Sequence, residues 1–405
     1  MAAFEMQLAI SLGNYKRRIE RIRKTMKKRN LSAMFLMTPV NIQYITGFWH
    51  VPTERPTGLL LPLDGELRIF TCKLEEANIK DRAPWLKCET TYFDYPGEKH
   101  PLVLFSERLN VLGYGKSSLG FDQGAFQSWQ WTHEKMSPAQ VFKKNLSTAR
   151  VELARDIVDE MRLVKDDEEI SLLREATRWG NLAISLVQRF IQPGISEAEI
   201  SLKAEYEASR AMLQAMPPLF EPFGYGSGPA HVFIKAGPRA MLSHRNPSNR
   251  KIRKGDVIYA NASGNVYGYV DEVERTFIVG KPNAKMIKYF QTAREAQQTA
   301  IELLRPGIVC ADVDKAAKNV FKKAGVAKYL IHHTGHCMGL QRHEPPHLDV
   351  GDRTIIRERM EFAVEPKLHD PTVGSFGHSD SVLVTKDGPE LLTYYPRDLE
   401  SCTID

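Results

Sequence analysis

The chain has 405 residues, 42% apolar and 26% charged, with a net charge of +6. That length exceeds a single hydrophobic core and implies two domains, and the composition is that of a soluble globular protein. No apolar run approaches the roughly 20 residues of a membrane span, and no signal-peptide core is present, so no membrane partner and a cytoplasmic location are expected. Five cysteines without paired spacing argue for a reducing compartment and against a zinc knuckle.

The basic residues cluster in Lys16 to Arg29, where Ile19, Ile22 and Met26 recur at helical spacing. This reads as a solvated amphipathic helix rather than a nucleic-acid contact. Ala33 to Thr38 reads as a short buried strand, and Pro39 to Gly47 as a helical turn and loop. Gly58 to Leu63 and Leu67 to Thr71 pair across the Asp64-Gly65 turn, and Leu119 to Phe121 forms another strand. Such alternation predicts a small α/β domain with a mixed sheet over residues 1–155. Glu152 to Met161 and Asp167 to Ile191 are helical by period, with a linker expected at Lys165 to Glu169.

The second domain, residues 156–405, carries an internal echo. A helix ends at Ile191, Pro193-Gly194 follows, and Ser196 with Glu199 forms a capping box for the next helix. Met286 to Leu304 repeats the scheme, followed by Pro306-Gly307 and a helix beginning near Asp312. Two helix–Pro-Gly–helix units point to a duplicated α+β half.

Between the two units lies GDVIYANASGNVYGYVDEVERTFIVG, Gly255 to Gly280. Val257 to Ala260, Val266 to Val270 and Arg275 to Val279 read as strands, with Asn261 to Asn265 as the first turn. Asn261, Asp271, Glu272 and Glu274 interrupt these core-like runs. A carboxylate buried alone is costly, so a sequence that keeps several there is using them. His332, His333, His336 and His343 fall within twelve residues. Glu365 follows in the strand-like FAVEPKL, and His378, Ser379 and Asp380 precede the strand Val382 to Thr385. Imidazoles and carboxylates on neighbouring strands serve metal binding or proton transfer.

GYVDEVERTF, HHTGHCMGLQRHEPP, the VEP at Glu365 and the strand ending in VLVT together resemble the pita-bread superfamily of creatinase, prolidase, aminopeptidase P and methionine aminopeptidase. The resemblance spans nearly the whole chain and implies an α+β fold: a pita-bread catalytic domain with duplicated halves, preceded by a creatinase-type α/β domain. The peptidases of that superfamily hold two metal ions with two aspartates, a histidine and two glutamates. The corresponding positions here are Asn261, Glu272, His336, Glu365 and Ser379. An amide and a hydroxyl are poor replacements for anionic ligands of hard ions. The resemblance therefore implies loss of the dinuclear site, while Glu272, His336 and Glu365 retain ligands for a single ion.

Creatinase, the metal-free member, shares the Asn at 261 and the Glu at 274, where its glutamate faces a cationic amidino group. His244 matches its acid/base histidine, a position that is also histidine in the peptidases. Arg55 matches an arginine that reaches the substrate carboxylate from the neighbouring subunit, which implies a homodimer. His343 and Ser379 depart from creatinase, so creatine itself does not fit. The leading expectation is a cofactor-free hydrolase of a C–N bond in a small carboxylate-bearing amidine, amide or cation. Its expected catalytic residues are His244, His336, His343 and Glu365, and its expected substrate-binding residues are Arg55, Glu274, His332, His378 and Ser379. The alternatives are a mononuclear metal-dependent Xaa-Pro dipeptidase-like hydrolase or lyase using Glu272, His336 and Glu365 with one divalent ion, and a non-catalytic peptide-binding relative.

Overall fold

A computed structural model describes residues 9–95, 97–122, 138–146, 148–224, 228–243 and 245–405. The chain packs as two compact units, Ile10–Arg162 and Leu163–Asp405.

In the first unit, helix α1 (Leu12–Lys28) starts at Ser11, whose hydroxyl accepts from the Asn14 amide and so satisfies one orphan N–H of the first turn. Ile19, Ile22 and Met26 form its buried stripe, as their spacing predicts. Strands β1 (Ala33–Leu36), β2 (Gly58–Pro62), β3 (Arg68–Cys72), β4 (Lys87–Tyr92), β5 (Ser118–Phe121) and β6 (Arg150–Leu153) make one sheet in the order β4-β3-β2-β1-β5-β6. It is mixed: β1 runs antiparallel to β2 and parallel to β5. Helices α2 (Pro39–Thr46), α3 (Glu76–Arg82), α4 (Pro101–Val111) and α5 (Pro138–Asn145) complete this layer. Glu152 and Leu153, read as helical from the sequence, belong instead to β6, which pairs with β5; the helix α6 (Asp156–Leu163) starts only after that ladder ends.

The second unit opens with α7 (Asp167–Phe190). Asp166 and Glu169 form a reciprocal capping box, and Lys165 is 1% exposed with its N–H donated to the Arg359 carbonyl at 2.9 Å. The charged run Lys165 to Glu169 is therefore not a solvated linker. Its charges cap a helix.

Helices α8 (Glu197–Ala215), α9 (Ala284–Glu302) and α10 (Cys310–Lys323) complete two helix pairs. The echo read from the sequence is repeated bond for bond. Gly194 and Gly307 take φ of 91° and 93°, each donating its N–H at 2.9 Å to a carbonyl, Ile252 in one half and Ile356 in the other. Those same isoleucines donate back at 2.8 Å to Ile195 and Ile308. Glycine is needed at both places because the left-handed conformation costs an L side chain about 1 kcal/mol or more.

Strands β7 (Ala230–Ala236), β8 (Val257–Val266), β9 (Tyr269–Val270) and β10 (Val273–Val279) form the first sheet with a late strand from the C-terminal end. The second sheet contains β11 (Gly335–Cys337), β12 (Glu344–Leu348) and β13 (Glu361–Val364), followed after the hairpin β14 (Lys367–Asp370) and β15 (Gly374–Gly377) by β16 (Asp380–Thr385) and β17 (Gly388–Leu391). Its order is β12-β11-β13-β16-β17, and β18 (Thr403–Ile404) is the late strand of the first sheet, beside β10. One apolar core joins both sheets and the helices that cover them.

The expected turn at Asn261 to Asn265 is absent: β8 runs through it unbroken. The chain reverses instead at Tyr267-Gly268, both with positive φ, as a tight hairpin requires. The small polar residues have packing reasons to lie in a strand. A Cβ at Gly264 would collide with the Ala176 carbonyl of α7, and the Asn265 side chain accepts from the Gly268 amide at 2.9 Å to close the turn. Among the described residues no helix is long and apolar enough to cross a membrane.

Candidate active site

β8 and β10 pair with Asn261 opposite Glu274. Strand alternation puts Tyr259, Asn261 and Ser263 on one face of β8. Glu272 enters just before β10. From the second sheet come His336 on β11, Glu365 directly after β13 and Lys367 at the start of β14. These elements enclose a cavity of about 150 Å³, walled in part by Asn261, Glu272, Glu274, Arg342, Glu365 and Lys367.

All the carboxylates the sequence singled out are buried: Asp271, Glu272, Glu274 and Glu365 are each 3% exposed or less. Their compensation decides the chemistry. The Lys367 ammonium lies 2.7 Å from Glu274 Oε2, contacts Glu365 Oε2 and donates to the Tyr259 hydroxyl at 2.7 Å. Glu274 Oε1 accepts from Tyr259 and, at 2.9 Å, from the Asn261 amide. The other end of that amide, Oδ1, accepts from Arg342 Nη1 at 3.2 Å, while Arg342 Nη2 donates to Ser263 at 2.8 Å. Burial opposes charge on Glu365, but Lys367 and His336 hold its carboxyl well below the usual range. Burial, reinforced by Glu274 and Glu365, pushes Glu272 up. Burial also works against a charged His336, yet Glu365 raises it to about 9.

Three histidines face one oxygen. The Nε2 atoms of His336, His333 and His332 stand 3.1, 3.8 and 3.9 Å from Glu365 Oε1. His336 Nδ1 contacts the Cys337 carbonyl at 3.1 Å and His332 Nδ1 the His333 carbonyl at 2.7 Å. With Nδ1–H held by a carbonyl, a neutral ring turns its Nε2 lone pair to the carboxylate. That arrangement is repulsive unless a proton or a metal ion lies between.

The donor set fits one divalent ion. Glu272, His336 and Glu365 each offer a ligand atom, and all three atoms lie within 4.8 Å of one another. His332 and His333 form a second such group, but through the same Glu365. Since Lys367 engages Oε2, the remaining Glu365 oxygen serves one ion. The full two-ion set does not fit. Asn261 is turned toward Arg342, and the Ser379 hydroxyl donates to Glu272 Oε1 at 2.9 Å. Glu274 and Glu365 already share a fixed positive charge.

Several expectations are corrected. Glu274 was expected to await a cationic substrate; Lys367 supplies that cation from within the chain, and Arg275 pairs instead with Asp380 at 2.8 Å. His378 is not at the cavity: it is wholly buried against the Phe290 ring, 4.8 Å between centroids, and burial holds it well below the ordinary imidazole range. Ser379 is also fully buried, and it braces Glu272 rather than meeting a substrate. Arg55 is not among these corrections, because its expected role is in a neighbouring subunit's site; within the first unit Asp94 at 2.6 Å and Glu54 engage its guanidinium. His332 and His343 do line the cavity, the His343 ring standing 4.4 Å from that of His336. His244 lies outside the described residues.

Sequence reasoning missed Lys367, Tyr259 and Arg342. The signal for Lys367 was a lysine two positions beyond Glu365 inside an apolar, strand-forming stretch. Arg342 stood beside His343 in the histidine-rich run.

Residues 171–386 match Metallopeptidase family M24, and residues 18–164 match the Creatinase/Prolidase N-terminal domain. The Xaa-Pro dipeptidase of Pyrococcus furiosus is 27% identical over 95% of this chain and 99% of that protein. The Xaa-Pro dipeptidase of Pyrococcus horikoshii is 26% identical over 94% of this chain and 98% of its own. Among solved structures, the prolidase from Pyrococcus horikoshii OT3 superposes with a TM-score of 0.78 at 25% identity, covering 95% of this chain and 99% of that one. These findings overturn the expectation of a cofactor-free enzyme: the matched family is one of metallopeptidases, and a divalent ion suits Glu272, His336 and Glu365 better than none. The chain belongs to metallopeptidase family M24, carries the pita-bread fold behind a creatinase/prolidase-type N-terminal domain, and is a hydrolase acting on C–N bonds.

Proposed function

We propose that this chain is a metal-dependent dipeptidase-like hydrolase of small Xaa-Pro peptides, with one divalent ion held by Glu272, His336 and Glu365. The observation that carries this reading is the convergence of those three buried side chains, together with the Lys367 ammonium shared by Glu274 and Glu365. The named activity of the Pyrococcus relatives supports the substrate class.

A bound divalent ion would polarise the scissile carbonyl and acidify an attacking water. The chain's own residues prepare that site. Ser379 fixes Glu272 through its hydroxyl, and Lys367 fixes Glu365 through Oε2, leaving Oε1 toward the histidines. Burial, and then the Lys367 charge, hold His332 below the ordinary imidazole range, so it is neutral at pH 7. With Nδ1–H on the His333 carbonyl, His332 presents Nε2, 3.9 Å from Glu365 Oε1, to take a proton from the nucleophile and return it to the leaving amine. The cavity of about 150 Å³ favours a short substrate over a long chain.

The test is hydrolysis of glycyl-proline by protein loaded with Mn²⁺, Co²⁺ or Zn²⁺, before and after chelation. Turnover that disappears on chelation and returns with the ion supports the reading. Turnover indifferent to chelation refutes it.

A further inference from the structure

The hairpin of β14 and β15 is buried from end to end, yet one of its faces is polar. Strand alternation sends Leu368 and Phe376, a cross-strand pair, into the apolar core of the second unit. The opposite face carries the pairs Lys367 with Gly377 and His369 with Ser375. Lys367, His369 and Ser375 all line the cavity. Lys367 is engaged by Glu274, Glu365 and Tyr259. The other two are engaged by nothing: among the described residues, neither ring nitrogen of His369 nor the Ser375 hydroxyl has a hydrogen-bond partner. His369 is 5% exposed and Ser375 0%. Buried polar groups are nearly always paired, so two orphans side by side on a cavity wall mark a place prepared for a ligand.

Their chemistry defines the complement. Burial, and then the Lys367 charge, bring His369 down to about 4, so at pH 7 its ring is neutral and offers one N–H donor and one lone pair. The Ser375 hydroxyl both donates and accepts. A carboxamide answers both groups, because it accepts at oxygen and donates at nitrogen. A carboxylate leaves the imidazole lone pair without a donor, and an alkyl group satisfies neither residue. An ammonium is opposed by Lys367 and Lys235, whose charges both act on His369. The position fits a substrate side chain. His369 stands two residues, about 7 Å of extended strand, past Lys367, whose ammonium touches the Glu365 proposed to hold the ion. In an Xaa-Pro substrate the proline ring carries no polar group, so the Xaa side chain is the part that can answer the pair.

We propose that His369 and Ser375 form a specificity subsite for the side chain on the amino side of the scissile bond, and that a carboxamide, as in asparagine or glutamine, is the group it selects. The proposal rests on the dipeptidase reading and deepens it. Phe233 and Ala240 line the same cavity, so an apolar side chain finds packing there but leaves both polar residues unpaired.

The experiment measures kcat/KM of the metal-loaded enzyme on asparaginyl-proline and leucyl-proline, whose first side chains share one shape. The wild type should favour asparaginyl-proline by roughly 10–100-fold, the size of the loss when buried partners go unpaired. His369→Phe should abolish that preference and tip it toward leucyl-proline. Ser375→Ala removes one buried oxygen, should lower the ratio by about threefold to tenfold, and carries the test if the Phe variant does not fold. A defect of structure alone lowers both rates together and leaves their ratio unmoved. A wild type without preference for asparaginyl-proline, or a ratio unchanged in the variants, overturns the proposal. Cleavage of glycyl-proline but of neither test peptide overturns it as well. If the wild type cleaves none of the three, the dipeptidase reading fails by itself, and calorimetry of the two test peptides decides the subsite. Asparaginyl-selective binding lost in the variants sustains it, and absent or unselective binding overturns it.

Discussion

Lys367 Nζ lies 2.7 Å from Glu274 Oε2, with the two residues on different strands and 93 positions apart in the chain. The same ammonium contacts Glu365 and the Tyr259 hydroxyl, so one lysine bridges two buried carboxylates from both halves of the duplicated unit and offsets one of their two charges. In a site whose relatives are metallopeptidases, part of the positive charge is thus built into the chain.

Removing that charge should be felt in folding. Lys367→Met leaves the buried Glu274 without a cation and Glu365 with His336 alone, and breaking such a buried pair costs about 3–5 kcal/mol. Urea denaturation should show that loss, and Glu274→Gln in the Lys367→Met background should recover part of it. Strictly additive losses in the double-mutant cycle would show that the two groups do not interact.

Ser379 acts through Glu272. Ser379→Ala removes the 2.9 Å hydrogen bond that orients the carboxylate and should weaken divalent-ion affinity by about 10–100-fold. The expected change in thermal stability is small by comparison. Unaltered ion affinity, measured by competition with a chelating dye, would mean that Glu272 needs no such brace.

His378 is one source of acid instability. Burial keeps its folded pKa well below the ordinary 6.5, whereas the unfolded chain takes up a proton near 6.5. The unfolded state therefore binds more protons as pH falls below 6.5, and stability drops with it, by up to about 1.4 kcal/mol per pH unit for one such group. His378→Phe should make the fall in stability below pH 6.5 shallower than in wild type. A profile with the same slope in both proteins would assign the acid loss to other groups, such as the buried His50, which burial lowers to about 4.

Much of the fold was legible because it is written in local signals. Pro193-Gly194 and Pro306-Gly307 announce the duplication, and the same backbone hydrogen bonds follow each glycine. The buried polar residues of β8 and β10 were legible as a site because carboxylates rarely stay in a core without use. Asn261 to Asn265 misled because small polar residues usually mark turns, whereas here Gly264 makes room for α7 and Asn265 closes the hairpin. Lys367 was not legible because its partner Glu274 is brought near only by tertiary packing, and a lysine is ordinarily solvated. Likewise the paired His378, Ser379 sequence gave no sign that one residue is core and the other a brace.

The proposed dipeptidase needs one ion on Glu272, His336 and Glu365, beside the fixed Lys367 charge. Elemental analysis of protein loaded with excess Mn²⁺, Co²⁺ or Zn²⁺ and freed of loosely bound ion tests it most directly. One equivalent per chain is predicted, lost in His336→Ala together with glycyl-proline hydrolysis. Two tightly bound equivalents, or hydrolysis that persists in chelated protein holding none, would contradict the account.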